Sequence, residues 1–275
     1  MAVTNSINTN VGAMVALRAL NATNVELEAT QERISTGLKV VGAADNASSF
    51  AIAQGLRAEI KSIAAVQQGL SNGRGVATVA LAGATEISNL LGDIKEKVTE
   101  GLNAANTTAQ QTILNADFSG LVDQILTFVQ NAEFNGRNII ESGGSNLAVL
   151  SDVSGGALTV RAQDLEGTAF SPLNAQNIAN VTAASAALTV VNSVIATVNT
   201  ALGQLGSDAR ALELQDNFTI AINDALEEGL ANIVDADLAK ESAQLTALLV
   251  KQQLGVQVLG IANSSPSVLL ALFVA

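Results

Sequence analysis

The architecture of this chain follows from residues 13–38, which read AMVALRALNATNVELEATQERISTGL. Apolar residues recur there at alternating steps of four and three, and no proline interrupts them. The line consists of Ala13, Leu17, Leu20, Asn24, Leu27, Gln31, Ile34 and Leu38. This spacing is typical of a coiled-coil seam and predicts a helix that packs lengthwise against a second helix. The polar members Asn24 and Gln31 either fix the register of the two helices or face water where the seam drifts.

The other end of the chain carries a matching pattern between about residues 235 and 264. The line there consists of Leu238, Leu245, Leu249, Gln252, Val256 and Leu259. The sequence NSSP at 263–266 predicts the end of this helix, because proline has no backbone N–H to donate. An apolar tail follows at 268–275. Asp235 and Asp237, at the start of the pattern, are typical of a helix cap.

Between these ends the sequence predicts three more helices and a small β patch. Two helices span about 47–99 and about 107–131, and the third contains an unbroken seam over 188–212. Two β-prone runs, 146–153 and 158–162, are separated by glycines and predict a hairpin. The predicted fold class is therefore mainly α: a long antiparallel helical hairpin or coiled-coil bundle with a small β-hairpin patch.

Three glycines interrupt the helix predicted over 47–99. Gly69, Gly73 and Gly75 each cost ~1 kcal/mol relative to alanine in a helix. We therefore expect the middle of this helix to depend on tertiary contacts.

The residue inventory excludes several classes of function. None of the 275 residues is His or Cys, which removes Ser–His–Asp and Cys–His catalysis and thiolate metal sites. The 13 basic and 25 acidic residues give a net charge of −12, which disfavours binding to nucleic acid. The apolar run 268–275 is far shorter than the roughly 20 residues that span a bilayer, and residues 1–10 lack a signal-peptide pattern. We expect no catalytic site, cofactor or metal, and no nucleic-acid or membrane partner.

The two terminal seams are too narrow to stabilise themselves. Ordering the backbone costs about 1–2 kcal/mol per residue, which one stripe of apolar side chains does not offset over a long helix. We therefore expect the chain ends to be floppy alone and to fold against other copies of the chain. The residues expected to form this assembly interface are Leu17, Leu20, Leu27, Ile34, Leu38, Leu238, Leu245, Leu249, Val256 and Leu259.

A set of motifs spread over nearly the whole chain resembles one family. In the N-terminal half they are 6–10 (SINTN), 20–21 (LN), 32–40 (ERISTGLKV), 42–47 (GAADNA), 51–53 (AIA) and the turn Phe134, Asn135, Gly136, Arg137. In the C-terminal part they are 235–241 (DADLAKE), 252–253 (QQ), 261–263 (IAN), Pro266 and 269–270 (LL). Together they make the chain similar to bacterial flagellins, the filament subunits of the flagellum, and to the short alphaproteobacterial members in particular.

The resemblance carries several expectations. It implies an inner coiled-coil domain from residues 1–44 and 231–275. It implies an outer helical domain from 45–230, with the β-hairpin patch at about 134–171 and no large inserted domains. It further implies an extracellular homopolymer, the flagellar filament, whose subunit is exported by the type III apparatus without a cleavable signal peptide. The other implied partners are an export chaperone on the C-terminal segment, hook-associated proteins and the cap protein.

Two alternatives remain open at this point. A hook–filament junction protein shares the pattern of both chain ends, although the turn at 134–137 and the match over 45–53 favour a flagellin. A secreted, membrane-active helical protein would use its apolar ends on lipid as a monomer. An enzyme is disfavoured because His and Cys are absent.

Overall fold

A computed structural model describes residues 9–273, with side chains up to Ser264. Its elements are α1 (Val11–Thr36), α2 (Ala47–Gly101), α3 (Thr108–Asn131), β1 (Leu147–Leu150), β2 (Ala157–Val160), a π-helical turn (Glu166–Phe170), α4 (Ser171–Asn174), α5 (Val181–Val234) and α6 (Leu238–Phe273). Helices dominate, and the described strands form one two-stranded antiparallel sheet, so the predicted fold class is confirmed. Most of the SINTN motif and the side chains of the 268–275 tail lie outside the described part.

Local capping chemistry sets the ends of two predicted helices. The Oδ1 atom of Asn10 accepts a hydrogen bond from the N–H of Ala13 at 3.0 Å and caps α1. Gly37, with φ of 73°, ends the same helix in the left-handed conformation that glycine adopts without strain. Thr107 and Gln110 form a capping box at the start of α3.

Helix α6 differs from its prediction at both ends. It begins at Leu238, because the carboxylate of Asp237 accepts two N–H groups of the first turn at 3.0 and 3.1 Å. It does not stop at 263–266 but continues through Pro266 to Phe273. The predicted stop is therefore wrong. The carbonyl of Ala262, which Pro266 leaves without its helical donor, accepts a hydrogen bond from the side chain of Asn10.

The chain divides into two compact units. The first comprises residues 1–58 and 226–275, and the second comprises Glu59–Ala225. Helices α2 and α5 each contribute to both units. The inner and outer domains implied by the resemblance, with limits at 44 and 230, stay a prediction.

The core of the second unit is built from α2, α3, α5 and the hairpin. Its largest members include Ile87, Leu91, Phe118 and Ile125, all essentially inaccessible. Helix α5 contributes a line of buried aliphatic residues at alternating steps of three and four, in which the buried Asp208 occupies the position before the last member. That line is Ala184, Ala187, Val191, Val194, Val198, Ala201, Leu205 and Leu212. This unit therefore has a hydrophobic core of its own.

The β hairpin and the turn at 134–137 each pack against a glycine of α2. Val149 of β1 comes so close that a Cβ atom at Gly73 would lie 2.5 Å from its Cγ2 atom. Phe134 approaches Gly75 in the same way, at 2.7 Å. Gly73 and Gly75 are thus positions of close contact, and tertiary support is present there, whereas a Cβ atom at Gly69 would meet no atom within 4 Å.

The motif at 134–137 is a tight two-residue turn. The backbone groups of Phe134 and Arg137 exchange two hydrogen bonds of 3.0 Å each. Between them, Asn135 and Gly136 have φ values of 50° and 75°. Two successive positive φ values define a type I′ turn, for which Asn-Gly is the preferred dipeptide.

The segment after β2 has no counterpart in the sequence-based prediction. It forms the π-helical turn Glu166–Phe170 and runs directly into α4. Leu165, Ala169 and Leu173, spaced four residues apart, are buried in the core of the second unit.

Candidate assembly surface

The first unit is built around an antiparallel pair, α1 and α6. Residue numbers on the two helices run in opposite directions along their contacts. Asn10 meets Ala262, Leu20 meets Gly255, Asn24 meets Gln252, and Arg33 meets Glu241. The antiparallel packing of the two ends predicted from their seams is therefore present within one chain.

Few side chains of this pair are buried between the two helices. Leu27 and Thr30 are the buried residues of α1, and Leu248, 2% exposed, is the buried apolar residue of the described part of α6. Gly255 lets the helices approach, since a Cβ atom there would lie 3.1 Å from Cδ1 of Leu20. The contact inside one chain is thus narrow.

Polar groups occupy the middle of this seam. The Nε2 group of Gln252 donates a hydrogen bond to Oδ1 of Asn24 at 2.8 Å. Both residues are half-buried, whereas Gln31 is exposed and the neighbouring Thr30 is buried in its place. The polar seam residues were expected either to fix the register or to face water. Asn24 and Gln252 contact each other across the seam, whereas Gln31 faces outward.

One charged group is also enclosed in the pair. Glu241 is only 8% exposed, and its Oε1 atom lies 3.8 Å from a guanidinium nitrogen of Arg33. Its Oε2 atom has no hydrogen-bond partner among the described residues. Arg33 is therefore the cation that compensates this enclosed carboxylate.

A small cluster joins the end of α1 to the connection between α5 and α6. Leu38 and Asp235 form an isolated antiparallel bridge, and the N–H of Lys39 donates to the carbonyl of Val234 at 2.7 Å. Val40, Ala53 and Val234 form the buried centre of the cluster. The loop that follows is held by Asp45, whose carboxylate accepts two backbone N–H groups at 2.9 and 3.0 Å; these bonds lower the pKa of Asp45.

The structure divides the residues expected at the assembly interface into two groups. Leu27 is buried, and five more are half-buried within the first unit: Leu20, Ile34, Leu38, Leu245 and Leu259. Leu17, Leu238, Leu249 and Val256 are exposed. The last three are spaced 11 and 7 residues apart, which places them on one side of α6. Only this exposed group is free to meet another molecule.

The sequence analysis missed a second apolar face of α6. Val250, Leu254 and Ile261 are 51, 54 and 70% exposed, and their spacing places them opposite the contact with α1. Helix α1 likewise exposes Val11, Met14, Val15 and Val25. The signal was available, because α6 carries apolar residues on more than one side, and such a helix is normally enclosed by other elements.

A narrow polar stripe separates these apolar faces of α6. Thr246, Gln253 and Gln257 are exposed and lie within about 40° of one another on the helix circumference. A second polar strip, formed by the exposed residues Lys240, Gln244 and Lys251, borders the apolar face of Val250, Leu254 and Ile261 on its other side. If this side of the helix contacted only water, a large apolar surface would remain exposed.

Two helices are long and apolar enough to cross a membrane by length and composition: α5, and α6 up to Ser264. In α5 these apolar residues build the core of the second unit. In α6 most of them are exposed. Among the described residues, no group of three acidic side chains is placed to hold a metal ion.

One ion pair of the second unit has a buried carboxylate. Asp208 is buried and accepts hydrogen bonds from the N–H, Nε and Nη2 groups of Arg161 at 2.9, 3.2 and 2.7 Å. Burial alone would raise the pKa of Asp208, but the hydrogen bonds and charge of Arg161 outweigh it and lower that pKa. The pair fastens the end of β2 to α5.

Comparisons with known proteins bear on both ends of the chain. Residues 7–144 match the family described as the bacterial flagellin N-terminal helical region, and residues 188–273 match the bacterial flagellin C-terminal helical region. Flagellin FljO of Caulobacter vibrioides is 42% identical, with 98% of each chain covered. A flagellin of Brucella melitensis is 35% identical, with 98% of this chain and 99% of the relative covered.

A solved structure shares the fold at much lower identity. It is a putative flagellar hook-associated protein from Vibrio parahaemolyticus, with a TM-score of 0.61 and 15% identity, covering 70% of this chain and 100% of that chain. At such identity the likeness extends to the fold alone. The near-full-length sequence matches, and not the fold, separate the filament protein from the junction protein.

Proposed function

This chain belongs to the bacterial flagellin family, and on that premise we propose that the helix pair α1–α6 is the element that joins it to identical copies. The protein is the structural subunit of the bacterial flagellar filament. What we propose is which of its surfaces form the contacts of the polymer. The observation that supports it is the apolar face of Val250, Leu254 and Ile261, which lies on the side of α6 away from α1.

The exposed residues lie on more than one side of the pair, which bears on the type of association. The side of Leu249 and Val256 and the side of Leu254 and Ile261 cannot both contact one partner helix. Each subunit then presents different surfaces to different neighbours. Such heterologous contacts build open helical polymers when the rotation between copies does not close a ring.

The remaining contacts of the assembly follow from family membership and stay proposals. An export chaperone would cover the apolar C-terminal segment before assembly, and hook-associated and cap proteins would contact the ends of the filament. Export would use the flagellar type III apparatus. The family is one of structural proteins, and the absence of catalytic activity stays a prediction.

A matched pair of substitutions on α6 tests the proposal. Leu254→Asp places a charge on the apolar face, and Gln253→Asp places the same charge one residue away in the polar stripe. We expect L254D to form no filaments after salt-induced polymerisation and Q253D to form them, as seen by electron microscopy and sedimentation. The thermal unfolding of the second unit should be unchanged in both. Normal filaments of L254D would overturn the proposal.

The membrane-active alternative has its own readout. If the apolar faces of α6 bound lipid, the wild-type monomer would release dye from anionic or neutral liposomes, and L254D would abolish the release. We expect no release by either protein at concentrations where the wild type polymerises.

A further inference from the structure

Pro266 creates a defect inside α6. The helix runs without interruption from Leu238 to Phe273, and proline has no N–H to offer to the carbonyl four residues earlier. That carbonyl belongs to Ala262. A partly buried carbonyl without a donor is costly, and this cost adds to the steric clash of the proline ring that disfavours proline inside a helix.

The side chain of Asn10 supplies the missing donor. Its Nδ2 group donates a hydrogen bond to the carbonyl of Ala262 at 2.7 Å. Its Oδ1 atom at the same time accepts from the N–H of Ala13 and caps α1. One amide thus satisfies an orphan donor at the start of α1 and an orphan acceptor in α6.

Among the residues that favour the cap position, asparagine is suited to both tasks. Serine, threonine and aspartate accept the hydrogen bond of the cap as well as asparagine does. Aspartate has no donor when ionised, and the hydroxyl of serine or threonine ends one bond closer to the backbone than the amide nitrogen. The sequence places asparagine at 10 and proline at 266, and the contact between α1 and α6 brings them together.

We propose that Asn10 couples the ordering of the two chain ends. Asn10 caps the first turn of α1 while its side chain is held by α6. In the other direction, α6 continues past Pro266 because the side chain of Asn10 supplies the missing donor. Ordering of either end therefore favours ordering of the other. The inference rests on the proposed function in one respect, namely that ordering of α1–α6 accompanies polymerisation.

The test compares substitutions of Asn10 in two backgrounds of the full-length protein. Asn10→Ser keeps the cap and removes the donor to Ala262, and Asn10→Asp does the same with an added charge. Pro266→Ala restores a backbone N–H at 266, so that the carbonyl of Ala262 no longer needs Asn10. The measured quantity is the critical concentration for salt-induced polymerisation.

In the wild-type background we expect N10S and N10D each to raise the critical concentration about tenfold, the effect of one lost hydrogen bond. In the P266A background the same substitutions should raise it less than about threefold. Rescue by P266A is specific, because a merely structural role of Asn10 in capping α1 would be unaffected by residue 266. Equal effects in both backgrounds, or no effect in either, would overturn the proposal.

Hydrogen exchange in the filaments provides a second readout for variants that still polymerise. N10S should reduce the protection of amides in the first turn of α1 and around Ala262 together, and P266A should restore protection around Ala262. Loss of protection in α1 alone would overturn the coupling. Failure of the proposed function is distinguishable, because L254D would then polymerise normally whatever the Asn10 variants do.

Discussion

Gln252 of α6 donates a hydrogen bond to Asn24 of α1 at 2.8 Å, in a seam whose other members are largely aliphatic. Each residue satisfies a polar group of the other that would otherwise be enclosed by apolar side chains. A shift of one helix by a turn would separate the two amides. The pair therefore defines one register for the antiparallel contact.

We predict that Asn24→Leu and Gln252→Leu together stabilise the helix pair but make its register less specific. Two leucines gain apolar burial, whereas the single variants leave one amide unpaired. The double variant should polymerise at a lower protein concentration, and its filaments should be heterogeneous in helical symmetry by electron microscopy. Each single variant should raise the critical concentration. Uniform wild-type filaments from the double variant would contradict the role in register.

Capping and turn chemistry were predictable from the sequence because they depend on neighbouring residues. Thr107 with Gln110, and the dipeptide Asn135-Gly136, define their structures through contacts within three residues. The end of α6 was not predictable in this way. The carbonyl that Pro266 leaves without a helical donor is satisfied by Asn10, which lies more than 250 residues away in the sequence.

The spacing of the seam residues was predicted correctly, but some of the residues that face the neighbouring helix differ from the predicted ones. At two positions of α6 the preceding residue faces α1 instead: Leu248 is buried and Leu249 exposed, and Gly255 packs on Leu20 while Val256 is exposed. Leu245 and Leu259 are half-buried within the first unit, as the predicted line requires. In α5 the buried line likewise includes Ala187, one residue before the predicted Leu188. A search for large apolar side chains overlooks alanine and glycine, which let helices approach closely.

Gly73 and Gly69 form a matched pair for the hairpin contact. Gly73→Ala places a methyl group against Val149, and overpacking of this kind costs typically 1–3 kcal/mol. Gly69→Ala meets no atom within 4 Å and should stabilise the helix by about 0.5–1 kcal/mol. Urea unfolding of the monomer, followed by circular dichroism, measures both. A G73A protein as stable as G69A would show that Val149 moves away without cost.

Arg33 and Glu241 allow a test of the enclosed carboxylate. Arg33→Ala removes the cation near Glu241, which is then buried without compensation, and we expect the helix pair to lose about 1–2 kcal/mol. Adding Glu241→Met should restore it, because an apolar side chain needs no partner. The measure is the critical concentration for polymerisation. If E241M fails to rescue R33A, then Arg33 acts through contacts other than the carboxylate.

Asp208 should contribute a pH-dependent part of the stability of the second unit. Its pKa is lowered in the folded state, so its contribution is present above the unfolded pKa of about 3.9 and is lost as the pH falls through the folded value. In Arg161→Met the side-chain hydrogen bonds and the charge are lost, whereas the backbone N–H of residue 161 still donates to Asp208, so stability should rise less steeply with pH than in the wild type. Urea unfolding at several pH values between about 2 and 6 gives both slopes. The same slope in wild type and R161M would contradict the role of the ion pair.

The central claim is that the apolar faces of α1 and α6 are covered only by other copies of this chain. Amide hydrogen exchange measures it directly, in dilute monomer and in the filament. We predict rapid exchange over 11–36 and 238–264 in the monomer, beside a protected second unit, and strong protection of both segments in the filament. Equal, strong protection of both segments in dilute monomer would contradict the claim.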